Sequence, residues 1–378
     1  MYTVPRYLKK ELLNKIRPGK VVVLYGPRQV GKTTLMQELL RSFPPEEVLV
    51  VSGENKDVEG WLSSQSIETL RHFIGTKTLL AIDEAQKVAH IGLNLKLIVD
   101  HFPQVRVFVT GSSSFEISQK LGDPLVGRQW EYYLFPMAQL ELKEYEPLHI
   151  SRAQLPQKLI LGSYPEVLSL QDREDKMQLL IGLVENYLYK DILEFQDIRK
   201  ADKIHDLLRL IAFQIGKEVS LNELGTQLHL DLRTVERYLD LLEKVFILKK
   251  IRGFSRNLRK EITKNARYYF LDNGIRNAVI RNFNSLENRQ DVGELWENYV
   301  VAERLKKQHY YKKWASFYFW RTYDQKEIDW VEESEGSLSG YEIKWSEKKR
   351  RVPALWKETY PHATYTVISP ENYLEFIT

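Results

Sequence analysis

The 378-residue chain contains no cysteine. That excludes disulfide frameworks, thiolate zinc centres, iron–sulfur clusters and cysteine nucleophiles. Any metal is therefore expected to be Mg²⁺ or Mn²⁺ held by carboxylates. Long apolar runs are missing too. The longest, such as 21–25 and 78–82, are strand-sized, far short of the ~18 residues of a membrane-spanning helix. The N-terminus has no apolar stretch of secretory type. The expectation is a soluble protein of a reducing compartment, most simply cytoplasmic, with no membrane partner. Internal repeats and low-complexity tracts are lacking as well. Net charge is small, with 55 Lys+Arg against 51 Asp+Glu leaving +4.

What is present is globular. Hydrophobic residues make up 43% and charged residues 28%, near the averages for folded domains. At ~100–200 residues per domain the length predicts two to three domains. Divided by segment, the charge becomes informative: +1 over residues 1–150, −3 over 151–198, +6 over 199–275 and zero over 276–378. Residues 249–267 alone hold eight basic residues and one acid.

The strongest motif begins after Val21–Tyr25, a β-branched run that reads as a buried strand. Gly26-Pro27-Arg28-Gln29-Val30-Gly31-Lys32-Thr33 follows and fits G-x-x-x-x-G-K-[ST], and the residues from Thr34 to Leu40 have helical spacing. Strand, glycine loop and helix are the context of a phosphate-binding loop. The glycines let backbone N–H groups converge on phosphate oxygens, and the helix N-terminus adds partial positive charge. Lys32 is expected at the β and γ phosphates of ATP and Thr33 on Mg²⁺. The run 78–82 then ends in Asp83 and Glu84, at the carboxyl edge where open α/β sheets bind ligands. Asp83 is expected to hold Mg²⁺ through water and Glu84 to polarise the attacking water. A third strand over 105–109 ends in Thr110-Gly111-Ser112, and either Thr110 or Ser112 suits a sensor of the γ-phosphate, the alternative being a turn that caps the next helix. Arg128 is read either as an arginine finger, acting in cis or from a neighbouring subunit, or as a surface arginine paired with Glu131.

Y-G-P-R-Q-V-G-K-T-T-L, L-L-A-I-D-E-A-Q-K, V-T-G-S-S-S-F, L-V-G-R-Q, G-S-Y-P-E-V, D-L-R-T-V-E-R-Y-L-D-L-L-E and Y-E-I-K-W occur in that order. With them the chain resembles a family of prokaryotic AAA-type ATP-binding proteins. The resemblance covers nearly the whole chain. It implies an α/β fold with four parts: a P-loop NTPase core of AAA+/STAND-like type over 1–150, a helical lid over 151–198, a winged helix-turn-helix over 199–275 and a C-terminal α/β domain similar to PD-(D/E)xK nucleases over 276–378. The preference for ATP over GTP also rests on it. In related STAND-like ATPases a G-x-P turn approaches the base or ribose, which makes Pro165, in Gly162-Ser163-Tyr164-Pro165, a candidate nucleotide contact. An ordinary turn between lid helices is the alternative.

In the middle segment, Ser220 starts one short helix and Asp231 is the expected N-cap of a second, with Val235, Leu239 and Leu242 on one face. That is helix-turn-helix spacing. The strands that follow frame a basic wing whose Lys249, Lys250, Arg252, Arg256, Arg259 and Lys260 suit phosphate contacts with DNA. A wing used for packing or protein contact is the alternative. In the C-terminal segment Glu342 and Lys344 project from one face of a strand, with Asp329 on the preceding hairpin strand and Glu297 on a helix. D…E-x-K is similar to the nuclease pattern, in which Asp329 and Glu342 bind a metal and Lys344 steers water. The overall expectation is an Mg²⁺-dependent ATPase coupled to a DNA-directed C-terminal half. The alternatives are a nucleotide-dependent scaffold for a protein partner or for its own copies, and an ATP-regulated nuclease.

Overall fold

The computed structural model describes residues 4–112, 125–188, 201–256, 265–322, 325–346 and 351–378. They form two compact units, Pro5–Phe135, and Pro136–Thr378 with Val4. The division precedes the expected end of the ATPase core at residue 150, so residues 136–150 and the expected lid belong with the C-terminal half.

The first unit is a parallel sheet of β1 (Val21–Tyr25), β2 (Val48–Ser52), β3 (Leu79–Asp83), β4 (Arg106–Gly111) and β5 (Gln129–Tyr133). Its order is β2-β3-β4-β1-β5, and every pair is parallel. All five residues of β1 and the first four of β3 are buried. Unbroken Val/Leu/Ile runs are what a parallel sheet covered on both faces requires. Strand order reverses at β1, which lies between β4 and β5, and such switch points open a crevice at the carboxyl ends of the strands. The loop after β1 leads directly into α1 (Lys32–Leu40) at that crevice.

The second unit holds a seven-stranded sheet of order β12-β11-β10-β9-β7-β8-β6. Its strands are β6 (Glu218–Val219), β7 (Leu248–Gly253), β8 (Ala266–Phe270), β9 (Ser316–Arg321), β10 (Glu327–Ser334), β11 (Ser337–Ile343) and β12 (Thr364–Ile368). Helices α2 (Leu155–Leu161), α3 (Arg173–Gly182), α4 (Leu221–Leu228), α5 (Leu232–Lys244), α6 (Asn273–Val279) and α7 (Val292–Tyr310) belong to the same unit. Helices α4 and α5 form where the helix-turn-helix is expected, with the Thr234 N–H donating to Asp231 Oδ1 at 2.9 Å and Val235, Leu239 and Leu242 buried. The wing strands β7 and β8 do not close a separate domain. β7 pairs in parallel with β9 through Arg252–Tyr318 and Gly253–Phe319, and the Phe254 N–H donates to the Phe319 carbonyl at 2.6 Å. The expected winged-helix and nuclease-like segments therefore share one sheet.

Candidate functional site

At the carboxyl end of β1 the loop turns through Gln29 (φ 59°) and Gly31 (φ 92°), left-handed conformations that glycine adopts without strain. A Cβ at Gly26 would collide with the Leu134 carbonyl, so the loop can lie this close to the chain only because Gly26 has none. The N-terminus of α1 has no side-chain cap and no acid in its first turn. The helices Lys56–Leu62 and Ile67–Ile74 of the same unit are capped by Asn55 and Ser66. A helix N-terminus of this kind favours an anion. Lys32 is buried, its ammonium donating to the Gly26 and Pro27 carbonyls, each at 2.9 Å. Pro27, Arg28, Val30 and Thr34 complete the loop and the first turn of α1.

Asp83 closes β3, and the Thr33 hydroxyl donates to its Oδ2 at 2.7 Å. Thr110, at the end of β4, donates to Asp83 Oδ1 and accepts from the Glu84 N–H at 3.2 Å. Glu84 lies in the left-handed region (φ 50°, ψ 47°), uncommon for a non-glycine residue and concentrated at functional sites. Its carboxylate accepts from Gln86 Nε2, which also donates to Ser112 Oγ at 2.9 Å. The two sensor candidates therefore do different things: Thr110 touches Asp83, and Ser112 reaches Glu84 through Gln86. Gln86 is 1% exposed and was not singled out from the sequence. The only available signal was its place in D-E-A-Q.

Arg6 was also not anticipated. Nearly buried, it donates through Nη1 to the Val30 carbonyl and through Nη2 to the Phe135 carbonyl, both at 2.6 Å, tying the phosphate loop to the segment after β5.

Arg128 is brought to none of these groups. Its carbonyl accepts from the Val21 N–H at 2.8 Å, so it lies at the amino end of β1. With four residue steps between Val21 and Tyr25, the loop is roughly 13 Å away along the strand. The side chain pairs with Asp100 at 2.8 Å. The cis arginine finger is thereby corrected, as is pairing with Glu131, whose carboxylate accepts from Gln129 and Tyr133. Pro165 opens the helix Pro165–Ser169 in the second unit, where the Ser163 N–H donates to the buried Asp272 Oδ2 at 2.7 Å. That turn is anchored within its own unit.

Residues 18–143 match the AAA domain family. Residues 152–286 and 292–365 match two domains of unknown function, DUF8612 and DUF4143. Over longer stretches the chain is 25% identical across 336 residues to an uncharacterized protein of Mycobacterium tuberculosis, covering 88% of this chain and 72% of that one. It is 21% identical across 371 residues to an uncharacterized protein of Methanocaldococcus jannaschii, covering 93% and 81%. Among solved structures it is similar to Pif1 helicase from Candida albicans, with 13% identity, 48% of each chain covered and a TM-score of 0.29. The FIGL-1 AAA domain in complex with ADP gives 16%, 51% of this chain and 73% of that one, and 0.26. At these scores neither structure bears on fold or function.

In the second unit Asp329, Glu342, Lys344 and Glu297 do converge. The Lys344 ammonium lies 3.0 Å from Asp329 Oδ2 and 3.1 Å from Glu342 Oε1. A bulge between Ile328 and Val331, where β10 meets β9, re-aims the residues it contains, Asp329 among them. A fifth group was missed: Arg267 on β8, 3% exposed. Its guanidinium lies 3.7 Å from Glu297, 2.7 Å from Glu327 and 3.9 Å from Asp329, over the Phe319 ring. Tyr269 donates to Glu297 at 2.7 Å. Burial, then the Asp329 charge, push the Glu297 carboxyl well above the usual range, against the pull of Arg267. Burial opposes the charged Lys344, but Asp329 and Glu342 outweigh it and raise its pKa. These acids already face two cations. Among the described residues no group of three or more acidic or histidine side chains is arranged to hold a metal. The set as arranged does not fit a resident Mg²⁺.

The basic strip is partly engaged. Lys249 pairs with Glu243 at 2.6 Å, and Arg256 stacks on Tyr360. Lys250 is half-buried and Arg252 is exposed on β7. Arg259 and Lys260 lie outside the described residues.

Proposed function

We propose that the chain is an Mg²⁺-dependent ATPase acting through residues 26–34, Asp83, Glu84 and Gln86. The observation that carries this is the 2.7 Å contact between Thr33 and Asp83 beside an uncapped helix N-terminus. Hydroxyl and carboxylate oxygens are the hard ligands Mg²⁺ takes, so Thr33 and Asp83 would hold it, and the bound ion would neutralise charge on the phosphates. Lys32 would exchange the Gly26 and Pro27 carbonyls for phosphate oxygens. Glu84 would orient the attacking water and accept its proton on the carboxylate, which Gln86 fixes in place. In the test, Lys32→Ala abolishes steady-state ATP hydrolysis. Glu84→Gln still binds ATP but turns over slowly; unchanged turnover removes Glu84 from the reaction.

A second reading, contact of the second unit with DNA, draws support from the helix-turn-helix and the exposed Arg252. The exposed face of α5 weighs against base readout by that helix, since it carries Arg233 and Arg237 against Glu236 and Asp240. Phosphate contact would therefore rest on β7 and the wing. Gel-shift titration across salt tests it: binding that weakens steeply with salt and falls in Arg252→Ala plus Arg256→Ala supports contact, and no shift at low salt ends it.

A further inference from the structure

Lys176 stands at an inward position of α3, with Leu180 one turn on, where the helix otherwise buries apolar side chains. It is 6% exposed. Neither a hydrogen bond nor an ion pair reaches its ammonium from the described residues. Burial alone lowers its pKa, so no carboxylate compensates it. An ammonium carries three donors and no acceptor, and with the stem buried its charged head opens only toward the cavity.

The space for one is there. A cavity of about 220 Å³ is lined by Lys176, Lys158, Gln157, Leu161, Val167 and Leu168 among others. A second, of about 570 Å³, shares Gln157, Leu161, Gln171 and Lys176 with it and continues past Ile160 to Leu286. The larger volume falls in the range of small-molecule sites. The lining is mixed: the amides of Gln157 and Gln171 and the Lys176 ammonium are polar, and Leu161, Ile160, Pro156 and Leu286 supply apolar surface. Lys158, the other buried ammonium on the smaller cavity, is already neutralised by Glu146 at 2.7 Å. Arg173, also on the lining, donates to the Phe283 carbonyl, and Glu287 is the one acid among the lining residues.

We propose that this joined cavity binds a small amphipathic oxyanion, its carboxylate or phosphate on Lys176 and its apolar body along Leu161, Ile160 and Leu286. The site is independent of the ATP site, and its occupant is an effector or substrate of the second unit. The Lys176 charge on the lining favours an anion over a cation.

The test is isothermal titration of the full chain carrying Lys32→Ala, which removes phosphate binding at the P-loop. The probes are octanoate, octyl phosphate and inorganic phosphate at matched ionic strength. Octanoate or octyl phosphate binds one equivalent, and which of the two is tighter assigns the head group. Affinity falls at least about tenfold in Lys176→Met, the loss expected when a charged hydrogen bond is removed. Leu286→Trp, which fills the larger cavity and leaves Lys176 in place, weakens the octyl probes but not inorganic phosphate. Circular dichroism checks that each variant folds. If no probe binds up to about 10 mM, or if Lys176→Met and Leu286→Trp both bind as the parent does, the site does not exist. Tight binding of inorganic phosphate that is unaffected by Lys176→Met would likewise overturn it.

Discussion

The Thr33 hydroxyl donates to Asp83 Oδ2 at 2.7 Å, joining the phosphate loop to the end of β3. Neighbouring oxygens of an octahedral Mg²⁺ shell lie roughly 3 Å apart, so this pair is already spaced to share one ion. Thr33→Ala is therefore expected to weaken binding of a fluorescent ATP analogue roughly ten- to a hundredfold with Mg²⁺. With EDTA the variant and the wild type should bind alike. An equal loss in both conditions would mean that Thr33 holds the loop rather than the metal.

Gln86 divides its amide between Glu84 and Ser112, which makes it a positioning residue. Gln86→Leu should lower kcat by roughly a hundredfold through misplacement of Glu84, leaving KM for ATP near wild type. Gln86→Glu, which cannot donate, should behave similarly. If KM rises while kcat holds, Gln86 shapes binding instead.

Arg6 makes two charge-assisted bonds to carbonyls, at 2.6 Å each. Arg6→Ala leaves both carbonyls without that donor, and urea unfolding should show a loss of about 2–3 kcal/mol. Saturating ATP should recover part of it, since the nucleotide binds only the folded loop. A loss below about 0.5 kcal/mol would remove Arg6 as a loop anchor.

Glu297 is pushed up to about 8, first by burial and then by Asp329. A raised carboxyl pKa favours the folded state at low pH, and that contribution is lost as pH rises through the folded value. Wild-type stability should therefore decline between the ordinary carboxylate range and about pH 8. Glu297→Gln, unable to ionise, should decline less, so its stability relative to wild type rises with pH. Urea unfolding at several pH values across this window checks it, and a constant difference rejects it.

With Lys344 and Arg267 paired to the acids around Asp329, wild-type chain incubated with plasmid and Mg²⁺ should nick no more than Lys344→Ala does, with or without ATP. Metal-dependent nicking lost only in the variant would show that a metal can displace these cations.

What the sequence made readable was local along the chain. The loop of residues 26–33, the acids at the end of β3 and the caps of α4 and α5 each depend on neighbours within a few positions. Arg6, Gln86 and Arg267 depend on partners that folding brings together: Arg6 meets Phe135, and Arg267 meets Glu297, Glu327 and Asp329. No local pattern marks them. Arg128 misled because it follows β4 in sequence, while its own strand starts at the far end of the sheet. Lys176 was overlooked because Leu179, Leu180 and Leu183 alone suffice to draw an apolar helix face.

The β7–β9 pairing also bears on ancestry. The matches to the two domains of unknown function stop at residue 286 and resume at 292, a seam at which a recombination event would seem harmless. It would not be. Separating the pieces strips β7 of one neighbour and β9 of another, and each would present an open strand edge to other chains. Helices α4 and α5 with the β7–β8 hairpin and the strands after residue 315 are therefore expected to be inherited together, as one piece of protein with two labels.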